Sequence, residues 1–146
     1  MAFPDPQLGL VVSHAYLWHH EHRAGQEEGR KERPCVIVLS VQNASDGSTM
    51  VRVAPVTHNP PDNPPPLVSL ELPQAVKRHL GLDDDRSWVI LDEVNEFTWP
   101  GFDVRPVPGA RDTFVYGFLP PRLFSALMAK LAGVWTAGQG KTTPRD

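Results

Sequence analysis

Cysteine is almost missing from this chain: Cys35 is the only one in 146 residues. A single thiol can neither close an intrachain disulfide nor build a cysteine-based zinc site, so a reducing, cytoplasmic setting is expected. Long apolar runs are lacking too. No stretch approaches the roughly 18 residues of a membrane helix, and Met1-Ala2-Phe3-Pro4-Asp5-Pro6 has no basic signal-peptide start. A soluble, untargeted protein is therefore expected, with no membrane partner. Positive charge is not in excess either, because 14 Lys and Arg face 17 Asp and Glu for a net charge of −3. Sequence-independent binding to duplex DNA draws its affinity from counterion release at many phosphates, which this balance argues against. A short nucleic-acid segment gripped at one local site stays open. Phosphate-loop and dinucleotide glycine patterns, the G-x-S-x-G elbow and H-E-x-x-H are all absent.

Proline and glycine are plentiful, at 16 and 11 residues, which points to a loop-rich chain with much β structure. The length suits one domain able to bury a core without metal or disulfide staples. Leu8 to Trp18 is β-branched and aromatic with partial alternation, as for a strand buried on one face. His19 to Arg33 is almost wholly polar, with two glycines and no apolar periodicity, and reads as a long charged connection of the kind that carries function. Pro34 introduces the apolar run Cys35 to Val41. Turn chemistry over Asn43 to Ser48 makes a hairpin with Met50 to Thr57, which Pro55 should end or push to an edge.

The proline-rich segment from Asn59 to Pro66 reads as a stiff spacer. Leu67 to Leu72 follows as a short strand, Pro73 to Gly81 as a brief helix and Asp83-Asp84-Asp85 as a solvated turn rather than a cation site. Strands are expected over Ser87 to Val94 and Thr113 to Phe118, with a break at Pro100-Gly101. Leu123, Phe124, Leu127, Met128 and Leu131 then recur with a helical period. These elements make residues 1–137 a single domain, mainly β with α, a small antiparallel barrel closed by a C-terminal helix; 138–146 reads as a disordered tail.

The histidines do not fall at metal-ligand spacing, so no metal is assigned, although any one of them can act as a general acid or base. The best supported chemistry is acid–base and electrostatic work on an anion. Arg33 ends the charged connection just before a buried strand, where its fork can grip phosphate oxygens. Thr57 ends the partner strand and adds a hydroxyl. Taken singly, Arg33 reads as a surface ion pair and Thr57 as a turn residue; the case depends on their meeting in space.

Five stretches in order resemble the MazF/PemK family of toxins from toxin–antitoxin pairs. They are Gly9-Leu10-Val11-Val12, Arg33-Pro34 through Ser40, Val53-Ala54-Pro55-Val56-Thr57, Ser87 through Val94, and Tyr116 through Pro120. The resemblance implies an SH3-like barrel, a homodimer and a hydrolase that cleaves single-stranded RNA without metal or cofactor. It also implies a cognate antitoxin that neutralises the activity. By position Arg33 and Thr57 match the family's arginine and its threonine or serine; Arg33 would stabilise phosphorane charge and Thr57 orient a phosphate oxygen. Glu27, Glu28, His20 or His22 would supply the base for 2′-hydroxyl attack, with Glu28 and His22 foremost. Arg23, Arg30, Lys31, His58 and Asn95 would contact RNA. Phe97, Trp99, Phe118, Phe124 and Trp135 are more aromatic surface than one barrel needs, and would form the dimer face.

Two departures from the family pattern support a different class, a non-catalytic barrel serving as a protein-binding or regulatory module. The connection before Pro34 is long, its four acidic residues balanced by Arg23, Arg30, Lys31 and Arg33, and Asn95 stands where relatives often carry arginine.

Overall fold

The computed structural model describes residues 3–26, 29, 31–61, 67–110 and 112–145. Among the described residues eight strands and three helices follow in the order β1 (Leu10–Ala15), α1 (His19–Arg23), β2 (Glu32–Gln42), β3 (Thr49–Thr57), β4 (Ser69–Glu71), α2 (Gln74–His79), β5 (Trp88–Ile90), β6 (Glu93–Thr98), β7 (Val115–Phe118), α3 (Pro121–Thr136) and β8 (Lys141–Pro144). The sheet runs β4-β5-β3-β2-β1-β7, with β6 on β3 and β8 on β6. It is antiparallel except for the β6–β8 pair and curls into a half-barrel bearing the C-terminal helix, the class expected from the residue pattern.

The β2–β3 hairpin is the centre of this sheet because it is apolar on both faces. Val36 and Val38 of β2 join Ala54 and Val56 of β3 in one core, with Leu127 and Leu131 of α3 packed on it. Cys35 and Ile37 point the other way and meet Val51, Val53, Val12, Tyr16 and Phe97 in a second core. A strand's period of two divides one continuous apolar run between two cores. Fully burying each such side chain contributes about 1.5–3 kcal/mol, so both faces matter to stability.

Pro55 neither ends β3 nor leaves it. The outer edge of β3 pairs with β6 through Met50–Val53 and with β5 through Val56–Thr57, so Pro55 falls where one partner gives way to the other and no outer acceptor calls for its missing N–H. The same change of partner splits the single strand expected over Ser87 to Val94. Its first part pairs with the end of β3, the chain steps aside at Leu91-Asp92, and β6 then pairs with the beginning of β3.

The charged connection also holds an unexpected short helix. In α1 the Glu21 carboxylate accepts the Trp18 backbone N–H at 3.1 Å, a reach back to the N-cap that needs no apolar stripe. The tail expected to be disordered is built into the sheet instead. Gly138, at φ +75°, closes α3 with the Gly138 N–H on the Trp135 carbonyl and the Gln139 N–H on the Val134 carbonyl. Gly140 then passes against the Trp135 indole, where a Cβ would collide. β8 runs along β6, Thr143 is fully buried, and Arg145 Nε lies 2.9 Å from Asp103 Oδ2. Composition showed the polarity of this segment but not these partners.

The aromatic surplus is mostly absorbed within one chain. Phe97 is buried, Phe124 and Trp135 pack against the first core and Trp99 against the second, and Phe118 alone of the five stays exposed. Both side chains of the Arg145–Asp103 pair are about nine-tenths buried, at 10% and 9% exposure. Removing one partner of such a pair strands the other charge and costs about 3–5 kcal/mol. Arg145→Ala should therefore lower stability by that amount in denaturant titration, whereas a mobile tail would allow no change.

Candidate functional site

Continuing the β2–β3 register from Cys35 opposite Pro55 by two residues puts Arg33 opposite Thr57. Both lie on the face that carries Cys35, Ile37, Val51 and Val53, beyond the apolar end of the second core. The guanidinium turns back over the strand end. Arg33 Nη1 donates to the Val56 carbonyl at 3.5 Å, and Cζ sits 5.1 Å from the centre of the Trp18 ring. Nε is buried with no hydrogen-bond partner among the described residues. Arg33 thus makes no ion pair among the described residues; an indole face and a carbonyl hold it in place. The Thr57 hydroxyl accepts the Asn59 N–H at 3.1 Å, which leaves its own proton to donate.

These two side chains stand where two cavities meet. The larger, about 840 Å³, is lined by Tyr16, Trp18, α1, Lys31, Thr57, Glu93 and Lys141 as well as Arg33. The smaller, about 340 Å³, shares Lys31, Arg33, Thr57 and Asn59 and adds His58, Asp83 and Tyr116. Arg23, Lys31, Arg33 and Lys141 on the larger wall outnumber Glu21 and Glu93, the carboxylates there among the described residues. A chain of net charge −3 thus turns a cationic cleft to solvent.

The expected residues separate clearly. Arg33, Thr57, Arg23, Lys31 and His20 line the larger cavity, and His58 lines the smaller one. His22 is exposed on α1 and lines neither cavity. Glu27, Glu28 and Arg30 fall outside the described residues. Asn95 does not reach the surface. It is fully buried, its Oδ1 3.1 Å from His14 Nε2 and accepting the Leu17 N–H at 2.9 Å, while its Nδ2 donates to the Leu17 carbonyl at 2.7 Å. An inward position on β6, between Glu93 and Phe97, makes it a clamp on the chain leaving β1 rather than a contact for RNA.

The Asp83-Asp84-Asp85 turn is organised by a resident ammonium. Lys77 is fully buried, and its Nζ donates to Asp83 Oδ1 at 2.7 Å and to the Asp85 carbonyl. His58 Nε2 lies 2.9 Å from Asp83 Oδ2. His58, Asp83 and Asp85 offer ligand atoms within 4.8 Å of one another, but the lysine already supplies positive charge there. It holds the Asp83 carboxyl below its usual range, chiefly through that hydrogen bond.

Glu93, His19, Trp18 and Lys141 are site residues that the sequence reading did not single out. Glu93 had a usable signal, since it lies two and four residues before Asn95 and Phe97 on an inward-facing row. Lys141 had none while its segment read as a tail. The chain matches no protein-family model, no curated protein and no solved structure.

Behind the cavity floor His14 is fully buried, stacked on Phe97 at 4.8 Å, its Nδ1 without a partner among the described residues. Burial depresses its pKa to about 4, against the opposing Asn95 hydrogen bond. An unfolded histidine takes up a proton near pH 6.5 and this one does not, so its contribution to stability is lost as pH falls from about 6.5 towards 4. The slope from this single group should approach 1.4 kcal/mol per pH unit. Denaturant midpoints measured from pH 7.5 to 5 should fall more steeply for wild type than for His14→Gln; parallel curves would place the titration elsewhere.

Proposed function

We propose that the chain is a MazF/PemK-like endoribonuclease that cleaves single-stranded RNA by attack of the substrate's own 2′-hydroxyl. The observation that carries this reading is the convergence of Arg33 and Thr57 between two cavities, on a cationic wall in a chain of negative net charge. In-line cleavage needs charge stabilisation at the phosphorane more than it needs a protein nucleophile. Arg33 supplies a guanidinium already fixed by Trp18 and the Val56 carbonyl, with its Nε proton unspent. Thr57 donates its hydroxyl proton to a phosphate oxygen. Arg23, Lys31 and Lys141 follow the RNA backbone, and His20 on the cavity rim gives a proton to the leaving 5′-oxygen.

Single strands suit this site because the cleft lies between a strand end and a short helix, where an unpaired nucleotide can be splayed. No helix among the described residues is long and apolar enough to cross a membrane. An RNA substrate and the buried free thiol of Cys35 fit a cytoplasmic setting. A restraining antitoxin and a homodimer belong to the same reading, with Leu8 and Phe118 as exposed apolar side chains available to a partner.

Arg33→Ala should slow cleavage of a long mixed-sequence RNA, with chelator present, by roughly 10²–10³. It gives up the contact with Trp18, worth about 1 kcal/mol, and so should melt only a few degrees lower. Arg33→Lys should recover little because an ammonium lacks the planar fork. Unchanged cleavage in a folded Arg33→Ala would remove Arg33 from the site. A wild type that cuts nothing yet binds a protein partner would favour the binding-module reading.

A further inference from the structure

We propose that Glu93 is the proton acceptor of this site, the carboxylate that takes the 2′-hydroxyl proton as that oxygen attacks phosphorus. The assignment rests on the ribonuclease reading and names a group outside the four base candidates visible in the polar connection. Glu93 opens β6 on the inward row and lines the larger cavity with Arg33 and Thr57. Its Oε1 is occupied twice, by the Tyr16 hydroxyl at 3.0 Å and by the His19 backbone N–H at 3.0 Å. Two donors on one oxygen fix the plane of the carboxyl group. Oε2 makes no hydrogen bond among the described residues, so it is the oxygen left to face a substrate.

The surroundings favour proton transfer. Tyr16, Arg33 and Glu93 line the same cavity, and the Tyr16 hydroxyl donates to the carboxylate. His19 and His20 face Glu93 from α1, Lys141 stands opposite it on β8, and Asp92 is its neighbour in sequence. Glu93 forms no ion pair among the described residues. Burial raises its proton affinity above that of an ordinary carboxyl group, with Asp92 acting in the same direction and the two hydrogen bonds and His20 opposing. The other carboxylate on this wall among the described residues, Glu21, spends Oε1 on the Trp18 N–H and serves the start of α1.

The step balances without an added reactant. The 2′-oxygen forms a bond to phosphorus while its proton passes to Glu93 Oε2. The bond from phosphorus to the 5′-oxygen breaks, and the leaving oxygen takes a proton from a protonated His20. The products are a 2′,3′-cyclic phosphate and a 5′-hydroxyl, and solvent restores both side chains.

The test is the pH dependence of kcat/KM for wild type, Glu93→Gln and Tyr16→Phe on one RNA, with melting curves for each. Glutamine keeps an oxygen for both donors, so Glu93→Gln should fold. It should lose about 10²–10⁴ in rate together with the acid limb of the profile. Tyr16→Phe removes a donor to the charged carboxylate and should move that limb to higher pH, an effect that a purely structural role for Glu93 would not produce. A folded Glu93→Gln that keeps the wild-type rate and limb overturns this assignment and leaves the ribonuclease reading standing. So does a limb that stays in place in Tyr16→Phe. No cleavage by wild type overturns both.

Discussion

A hairpin that must be buried on both faces governs this structure. Cys35 to Val38 and Val51 to Val56 carry apolar side chains at nearly every position, so neither face of the β2–β3 ladder can be left to water. One face takes α3 and the other takes the inward residues of β1 and β6. Both strands of the hairpin run past their apolar stretch at the same end, and there the inward row becomes polar: Arg33 on β2, Thr57 on β3 and Glu93 on β6. The site is therefore the open end of the second core. Its residues inherit their common direction from the pleat and their proximity from the hairpin register.

That origin explains the electrostatics. Polar groups at the rim of a core are partly stripped of water, which strengthens their interactions and shifts their proton affinities. The Glu93 and Tyr16 side chains both hold their protons more tightly because of burial, while His19 at the start of α1 holds its proton less tightly for the same reason. One layer deeper the Asn95 amide ties His14 to both backbone groups of Leu17, fixing the exit from β1 on which Trp18 and α1 depend. The indole that holds Arg33 is thus positioned by a side chain that reads from sequence as a surface group.

How much of this was legible follows from which signals are local. The apolar hairpin and the helical period of α3 are local patterns, and the structure contains both. The split of β5 from β6 was not legible, because it depends on β3 having two partners along one edge. Nor was the burial of Asn95 or the docking of β8, since both depend on groups dozens of residues away: Leu17 for the one, Asp92, Glu96 and Asp103 for the other. Glu93 was hidden differently. It sits on a strand row that reads as structure, while the acidic residues of the polar connection drew attention to Glu27 and Glu28.

The central proposal is chemical: the substrate provides the nucleophile and the protein provides charge. It is tested most directly by offering wild-type protein one long sequence as unmodified RNA and as its fully 2′-O-methylated counterpart, then identifying the new ends. Cleavage confined to the unmodified strand, leaving 2′,3′-cyclic phosphate and 5′-hydroxyl ends, is the result this account predicts. Cutting of the methylated strand, 5′-phosphate ends, or no cutting of either strand would contradict it.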